Sequence, residues 1–187
     1  MTSYETININ NCYLFKFCKV IFNILIYVAS IVCANYTATW FLPISTFAWV
    51  SVGTLIFGIT FTQRDRIHSL GRKKVYLIII LTAIINALFS FIWEIPTRIL
   101  IASFCSIIIS EITDTEVYQT FINRHWFSRV ARSNAVSIPL DSAFFNLLAF
   151  YNVYSTAILL GLILGEIIVK GVVSLIYAVV IKKYLAT

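Results

Sequence analysis

The chain has 187 residues, 60% of them hydrophobic and 16% aromatic, with only 12% charged and a mean hydropathy of +0.90. That composition excludes a soluble enzyme domain, and at about 20 residues per crossing it leaves room for six membrane spans, short loops and no extramembrane domain. The net charge of +6 comes with no basic stretch interleaved with aromatics, which argues for headgroup contact and for no nucleic acid as partner.

Ser3 to Asn11 is polar, and Lys16 and Lys19 precede the first apolar run, Val20 to Trp40. The pattern resembles the start of a secretory signal, with small residues at Val32-Cys33-Ala34, but the run continues past them, so the first helix is expected to stay. Five more apolar segments follow: Ile44 to Phe61, Val75 to Trp93, Thr97 to Tyr118, Arg129 to Phe150 and Ser155 to Ile181. Pro43 and Pro96 stand where helices should start, because a first turn leaves its N–H groups unpaired anyway. Pro139 falls inside the fifth segment, where it is expected to kink the helix and open carbonyls toward an internal cavity. The expected fold class is therefore all-α: one polytopic six-helix transmembrane domain over residues 1–187.

Lys16 and Lys19 precede the first span, and Arg64, Arg66, Arg72, Lys73 and Lys74 lie between the second and third. Arg124, Arg129 and Arg132 fall between the fourth and fifth, and Lys182 and Lys183 follow the sixth. The alternate loops carry only Arg98, so twelve basic residues on one side face one on the other, which puts both termini in the cytoplasm of a multi-pass inner (plasma) membrane protein. Trp40, Trp49, Trp93 and Trp126 sit near span ends, as an interfacial belt requires. The segment Thr62 to Lys74 reads as a solvated cytoplasmic loop in which Arg64, Asp65 and Arg72 form ion pairs that shape an inner gate, with Arg132 of the next basic loop as a further gate residue. Gly71 permits a turn there, and His68 is its titratable group.

The informative residues are carboxylates inside apolar runs, since a charge at a helix centre costs about 2.5–3.5 kcal/mol on insertion scales and marks a pathway or a binding site. Ser103, Ser106, Ser110 and Asp114 recur at intervals of three and four, with Glu111 beside the stripe. Asn134, Ser137 and Asp141 repeat the pattern in the fifth span, with Phe145 one turn on. Two such stripes can face each other across a ligand-filled cavity. The blander alternative has the serines bonding to their own helix and the carboxylates pairing with Arg129 or Arg132. Glu166 and Lys170, four apart, can neutralise each other along the last helix, and Ala157, Gly161 and Gly165 let another helix approach. Cys12, Cys18, Cys33 and Cys105 form no ligand pattern, so no metal and no cofactor is expected.

Several stretches together resemble the queuosine-precursor transporter family, also known as vitamin uptake transporters. They are Asn35 at the end of the first span, Arg64-Asp65 closing on Gly71-Arg72, and the serine-rich block from Arg98 to Glu111 and Asp114. Arg132-Ser133-Asn134, Ser137, Asp141-Ser142-Ala143-Phe144-Phe145 and Ala149-Phe150 complete the match, which runs from about Asn35 to Phe150. The resemblance implies a six-helix inner-membrane importer of 7-deazaguanine bases such as 7-cyano-7-deazaguanine. Longer members commonly follow the loop aspartate with a Glu and a Tyr-Gly pair, where this chain has His68, Ser69 and Leu70. A deazaguanine offers a ring N–H beside an exocyclic amine, which one carboxylate can accept together, and a flat face for an aromatic ring. Asn35, Asn134, Ser137 and Asp141, with Asp114 or Glu111 opposite and Phe144 or Phe145 as platform, are the expected binding residues.

The expected partners are a nucleobase-like small molecule and the lipid bilayer, with a homo-oligomer left open. A rival reading is a substrate-binding subunit energised by an ATPase, docked on the small-residue stripe Ser30, Ala34 and Ala38. A non-transporting membrane scaffold is the third. An enzyme is not expected, because no His cluster, nucleophile elbow or phosphate loop is present.

Overall fold

The computed structural model describes the backbone of residues 3–44 and 49–185, and the side chains of residues 18–44 and 49–180 other than 62, 65, 69, 177 and 178. In chain order the elements are α1 (Ser3–Tyr36), β1 (Phe41–Pro43), β2 (Trp49–Ser51), α2 (Val52–Ile67), a 3-10 turn at His68–Leu70, α3 (Arg72–Ile92), α4 (Thr97–Thr120), α5 (Trp126–Phe150) and α6 (Thr156–Leu185). α4 and α5 form the central pair. α1 packs on α2 and α3, α3 on α4, and α6 on α5 and α2.

Polarity is inverted relative to a soluble protein. Among the described residues more polar and charged side chains are buried than apolar ones, while Phe22, Leu25, Leu77, Phe91, Leu164 and Ile168 are exposed. That is the arrangement hydrocarbon solvent selects, because only the bundle interior can satisfy polar groups. Cys18–Tyr36, Arg72–Ile92 and Thr156–Ile176 are long and apolar enough by composition to cross a membrane, and Val52–Phe61 is a shorter apolar helix. α4 and α5, at 24 and 25 residues, have the length but carry the buried polar stripes. The protein is an all-α, multi-pass membrane protein.

Its second span departs from expectation. Ile44 to Phe61 is not one helix: Phe41, Leu42 and Pro43 pair antiparallel with Ser51, Val50 and Trp49. Pro43 thus ends a strand at a ribbon edge, where its missing N–H is harmless, instead of starting a helix. Ser51 then caps α2, its Oγ accepting from Gly53 N at 3.0 Å and donating to Thr37 O at 3.1 Å. With no Gly or Pro until Gly71, α2 runs six residues past Phe61, so Arg64 and Arg66 are helical and the expected loop shrinks to a single turn. Gly71, at φ +88°, makes the reversal that a side chain would strain.

Two glycines mark where backbones touch. A Cβ on Gly53 would lie 2.2 Å from Ala34 O, so α2 starts directly against the end of α1. Ser30, Ala34 and Ala38 are accordingly buried inside this chain, and the stripe is not a free surface for another subunit. A Cβ on Gly165 would lie 2.8 Å from Trp49 O, so this glycine admits the ribbon strand and not the helix expected from the small-residue spacing. At the bundle end shared by the α3–α4 and α5–α6 turns, Arg98 donates from Nε to Leu148 O at 2.9 Å and from Nη2 to Tyr151 O, binding the last carbonyls of α5.

Candidate functional site

Two charged clusters lie along the α4 and α5 stripes. The first is centred on Lys170 of α6, whose Nζ donates to Asp141 Oδ2 at 2.7 Å, to Glu166 Oε2 at 2.8 Å and to Ser142 Oγ at 3.2 Å. Asp141 Oδ1 accepts from Ser106 Oγ at 2.6 Å and from Ser110 Oγ at 3.2 Å, so both its oxygens are engaged, from α4 and from α6, with a lone pair of Oδ2 to spare. The expected Glu166–Lys170 pair forms, and Asp141 joins it from the neighbouring helix.

This cluster borders a cleft with about 50 Å3 of water-sized space that α1, α2, α4, α5 and α6 all line. Asn35, Phe57, Ser103, Asp141, Phe145, Glu166 and Lys170 face it. The Lys170 ammonium stands 5.4 Å from the centroid of Phe57. Asn35 donates from Nδ2 to Ser90 Oγ at 2.5 Å, while its Oδ1, buried on the cleft wall, has no hydrogen-bond partner. An unmet buried acceptor costs more than a made bond contributes, so it favours a ligand carrying a donor.

The second cluster is centred on Arg64 of α2. Nη1 donates to Glu111 Oε1 at 3.0 Å, and Nη2 donates to Asp114 Oδ1 at 2.9 Å and to Asn134 Oδ1 at 2.6 Å. Tyr27 of α1 donates its OH to Glu111 Oε2 at 3.1 Å, and Ser137 Oγ donates to Asp114 Oδ1 at 2.9 Å. Asn134 Nδ2 continues the chain of bonds to Ser174 of α6 at 2.7 Å. Arg64, Glu111 and Asp114 are at most 1% exposed. His68, in the turn after α2, places Nε2 3.3 Å from Asp114 Oδ2 and stacks on the Tyr118 ring at 4.2 Å. Burial pushes the His68 imidazole below the usual histidine range, against the opposing pull of Asp114.

The expected binding residues are therefore divided. Asn35, Asp141 and Phe145 line the cleft; Glu111, Asp114, Asn134 and Ser137 gather around Arg64, because the turn of helix between Ser137 and Asp141 carries the α5 stripe from one cluster to the other. Phe144, 38% exposed, points away from the cleft, as its place one residue before Phe145 on a helix dictates. Pro139 lines a separate hollow between α5 and α6, so it does not open carbonyls toward the cleft. The buried carboxylates pair with Arg64 and Lys170, whereas Arg129 and Arg132 lie over the rings of Tyr118 and Phe121 at 5.1 and 4.3 Å. Of the expected gate residues, Arg64 is interior, Arg72 pairs with Glu116 at the surface, and the Asp65 side chain lies outside the described residues. Phe57 and Tyr27 carry no spacing signal that sequence reasoning could have used.

The family described as "Putative vitamin uptake transporter" matches residues 89–184, which span the end of α3 through α6 and include Glu111, Asp114, Asn134, Asp141, Glu166 and Lys170. No curated protein and no solved structure matches the chain. Covering just over half of the sequence, and with its carboxylates converging on a cleft inside a membrane bundle, the match assigns this chain to the putative vitamin uptake transporter family.

Proposed function

We propose that the protein imports a queuosine precursor, 7-cyano-7-deazaguanine or a related 7-deazaguanine base, across the inner membrane and binds it in the Lys170 cleft. The observation that carries this reading is the meeting of Asp141, Lys170 and Glu166 with the unpartnered Asn35 Oδ1 and the rings of Phe57 and Phe145 on the walls of one cleft. A deazaguanine presents two adjacent donors on its pairing edge and a carbonyl acceptor beside them. A carboxylate and an amide oxygen meet the donors, the ammonium meets the carbonyl by exchanging its bond to Ser142, and an aromatic ring meets the flat face. The family supplies transport; the motif resemblance supplies the choice of base.

Uptake of radiolabelled 7-cyano-7-deazaguanine into proteoliposomes tests the reading. Saturable entry, chased by unlabelled base and absent from empty vesicles, is the expected result. Entry no faster than in empty vesicles removes this cargo from consideration.

A further inference from the structure

The Arg64 cluster lies outside the cleft and has a charge count that its own residues do not close. Arg64 brings one positive charge to two carboxylates, Glu111 and Asp114, all of them shut away from solvent. A buried charge without its counter-charge is costly, so the cluster calls for one more positive charge. A metal ion does not fit. Each of the four carboxylate oxygens already accepts from a protein group, namely Arg64, Tyr27, Ser137 and His68, and no set of three metal-ligating side chains occurs among the described residues. A proton needs no cavity and no vacant coordination site.

We propose that this cluster is the proton site of a proton-driven importer, with Glu111 the carboxyl that carries the proton. The inference rests on the reading of the protein as an importer and names its driving ion. Glu111 differs from Asp114 in its neighbours: Asp114 is held by Arg64, Ser137 and the His68 ring, whereas Glu111 has Arg64 on one oxygen and the Tyr27 hydroxyl on the other. A hydroxyl can turn from donor to acceptor, so Tyr27 can receive a hydrogen bond from protonated Glu111. The Ser137 hydroxyl has the same freedom, but the Asp114 oxygen it meets, Oδ1, also accepts from Arg64, whereas Arg64 and Tyr27 meet different oxygens of Glu111.

The groups facing Glu111 are known from every packed element. α1 brings Tyr27, α2 brings Arg64, the turn brings His68, α4 brings Asp114 and α5 brings Asp141, with Arg129 acting on His68. α6 spends Lys170 on Asp141 and on its own Glu166, and the charged residues of α3, Arg72, Lys73 and Lys74, are exposed. Coupling to the cleft has a short route. Ser110, adjacent to Glu111, donates to Asp141, and Ser137 of α5 donates to Asp114, so both clusters share the α4–α5 stripe. A neutral Glu111 loosens Arg64 from α4, and with it the grip of α2 on the central pair.

Infrared difference spectra of the purified protein between alkaline and acid buffer test the site without any cargo. A protonated-carboxyl band is expected, lost in Glu111→Gln, retained in Asp114→Asn and displaced in frequency by Tyr27→Phe, which keeps every charge. A spectrum with no titrating carboxyl band, or a band untouched by both Glu111→Gln and Tyr27→Phe, overturns the proposal. In proteoliposomes an inward proton gradient should raise accumulation of labelled 7-cyano-7-deazaguanine at least tenfold, and a protonophore should abolish the rise. Accumulation indifferent to the gradient sinks proton coupling even where uptake occurs. Absence of any uptake beside an intact infrared result sinks the cargo and leaves the proton site standing.

Discussion

Lys170 Nζ lies 2.7 Å from Asp141 Oδ2, bridging α6 to α5 in a bundle whose outer surface is apolar. Both side chains are at most 8% exposed, and the ammonium also holds Glu166, so one cation fixes two carboxylates and two helices. Such a pair is poor evidence of net stabilisation but strong evidence that losing one partner is harmful.

Lys170→Met leaves Asp141 and Glu166 facing each other without a cation. Thermal unfolding of the detergent-solubilised variant should reveal a loss of about 3–5 kcal/mol, the usual cost of orphaning a buried ion. The triple change Lys170→Met, Asp141→Asn, Glu166→Gln should recover much of that stability. If Lys170→Met melts with the parent, the cluster is solvated and the description of it as sealed fails.

Asp141→Asn has the opposite profile. Glu166 still holds Lys170, so folding and yield should stay near the parent's, while the substituted amide offers a cargo donor pair one acceptor and one donor of its own. Loss of a charged hydrogen-bonded pair corresponds to about 3 kcal/mol, or roughly 100-fold in affinity. Calorimetric titration with 7-cyano-7-deazaguanine reads it directly, and equal affinity in the two proteins would make Asp141 structural.

His68 sets a pH dependence. Because burial lowers its pKa in the folded state, folding favours the neutral ring, and this contribution is present above the ordinary histidine pKa of about 6.5. It is lost as pH falls from there toward the lower folded value. The melting temperature of the parent should therefore drop more steeply below about pH 6.5 than that of His68→Phe, which keeps the stack on Tyr118. Parallel pH profiles for the two proteins would show that folding leaves the ring's proton affinity unshifted, against the buried neutral imidazole described above.

Topology is open to direct labelling. The twelve-to-one excess of basic residues puts position 4 in the cytoplasm and position 153, in the exposed turn between α5 and α6, on the far side. Single cysteines introduced at these two positions of a cysteine-free protein should react with an impermeant reagent from opposite faces. Reaction from one face would break the six-span arrangement.

Much of this architecture is written along the chain. Hydropathy marks the apolar helices α1, α3 and α6, and the periodicity of Ser103, Ser106, Ser110 and Asp114 correctly marks the buried face of α4. Glu166 and Lys170 are legible as a pair because four residues is one helical turn. Each of these signals is local. The ribbon at Phe41–Pro43 and Trp49–Ser51 was not legible, since a short apolar strand and the start of an apolar span have the same composition.

Sequence by itself determined which polar residues of α4 and α5 face inward, because the helical period sets a side chain's angle about its own axis. Tertiary structure alone decided which cation meets which carboxylate across helices. Arg64 is 47 residues from Glu111 and Lys170 is 29 from Asp141, and no pattern within one helix encodes the height and rotation of another. Those are set where backbones touch, at Gly53 against Ala34 and Gly165 against Trp49, and by the extra turns that carry α2 inward past Phe61. The same contacts place Asn134 and Ser137 with Arg64 and leave Asp141 to the cleft, because a bond to a neighbouring helix depends on axial position as well as on face.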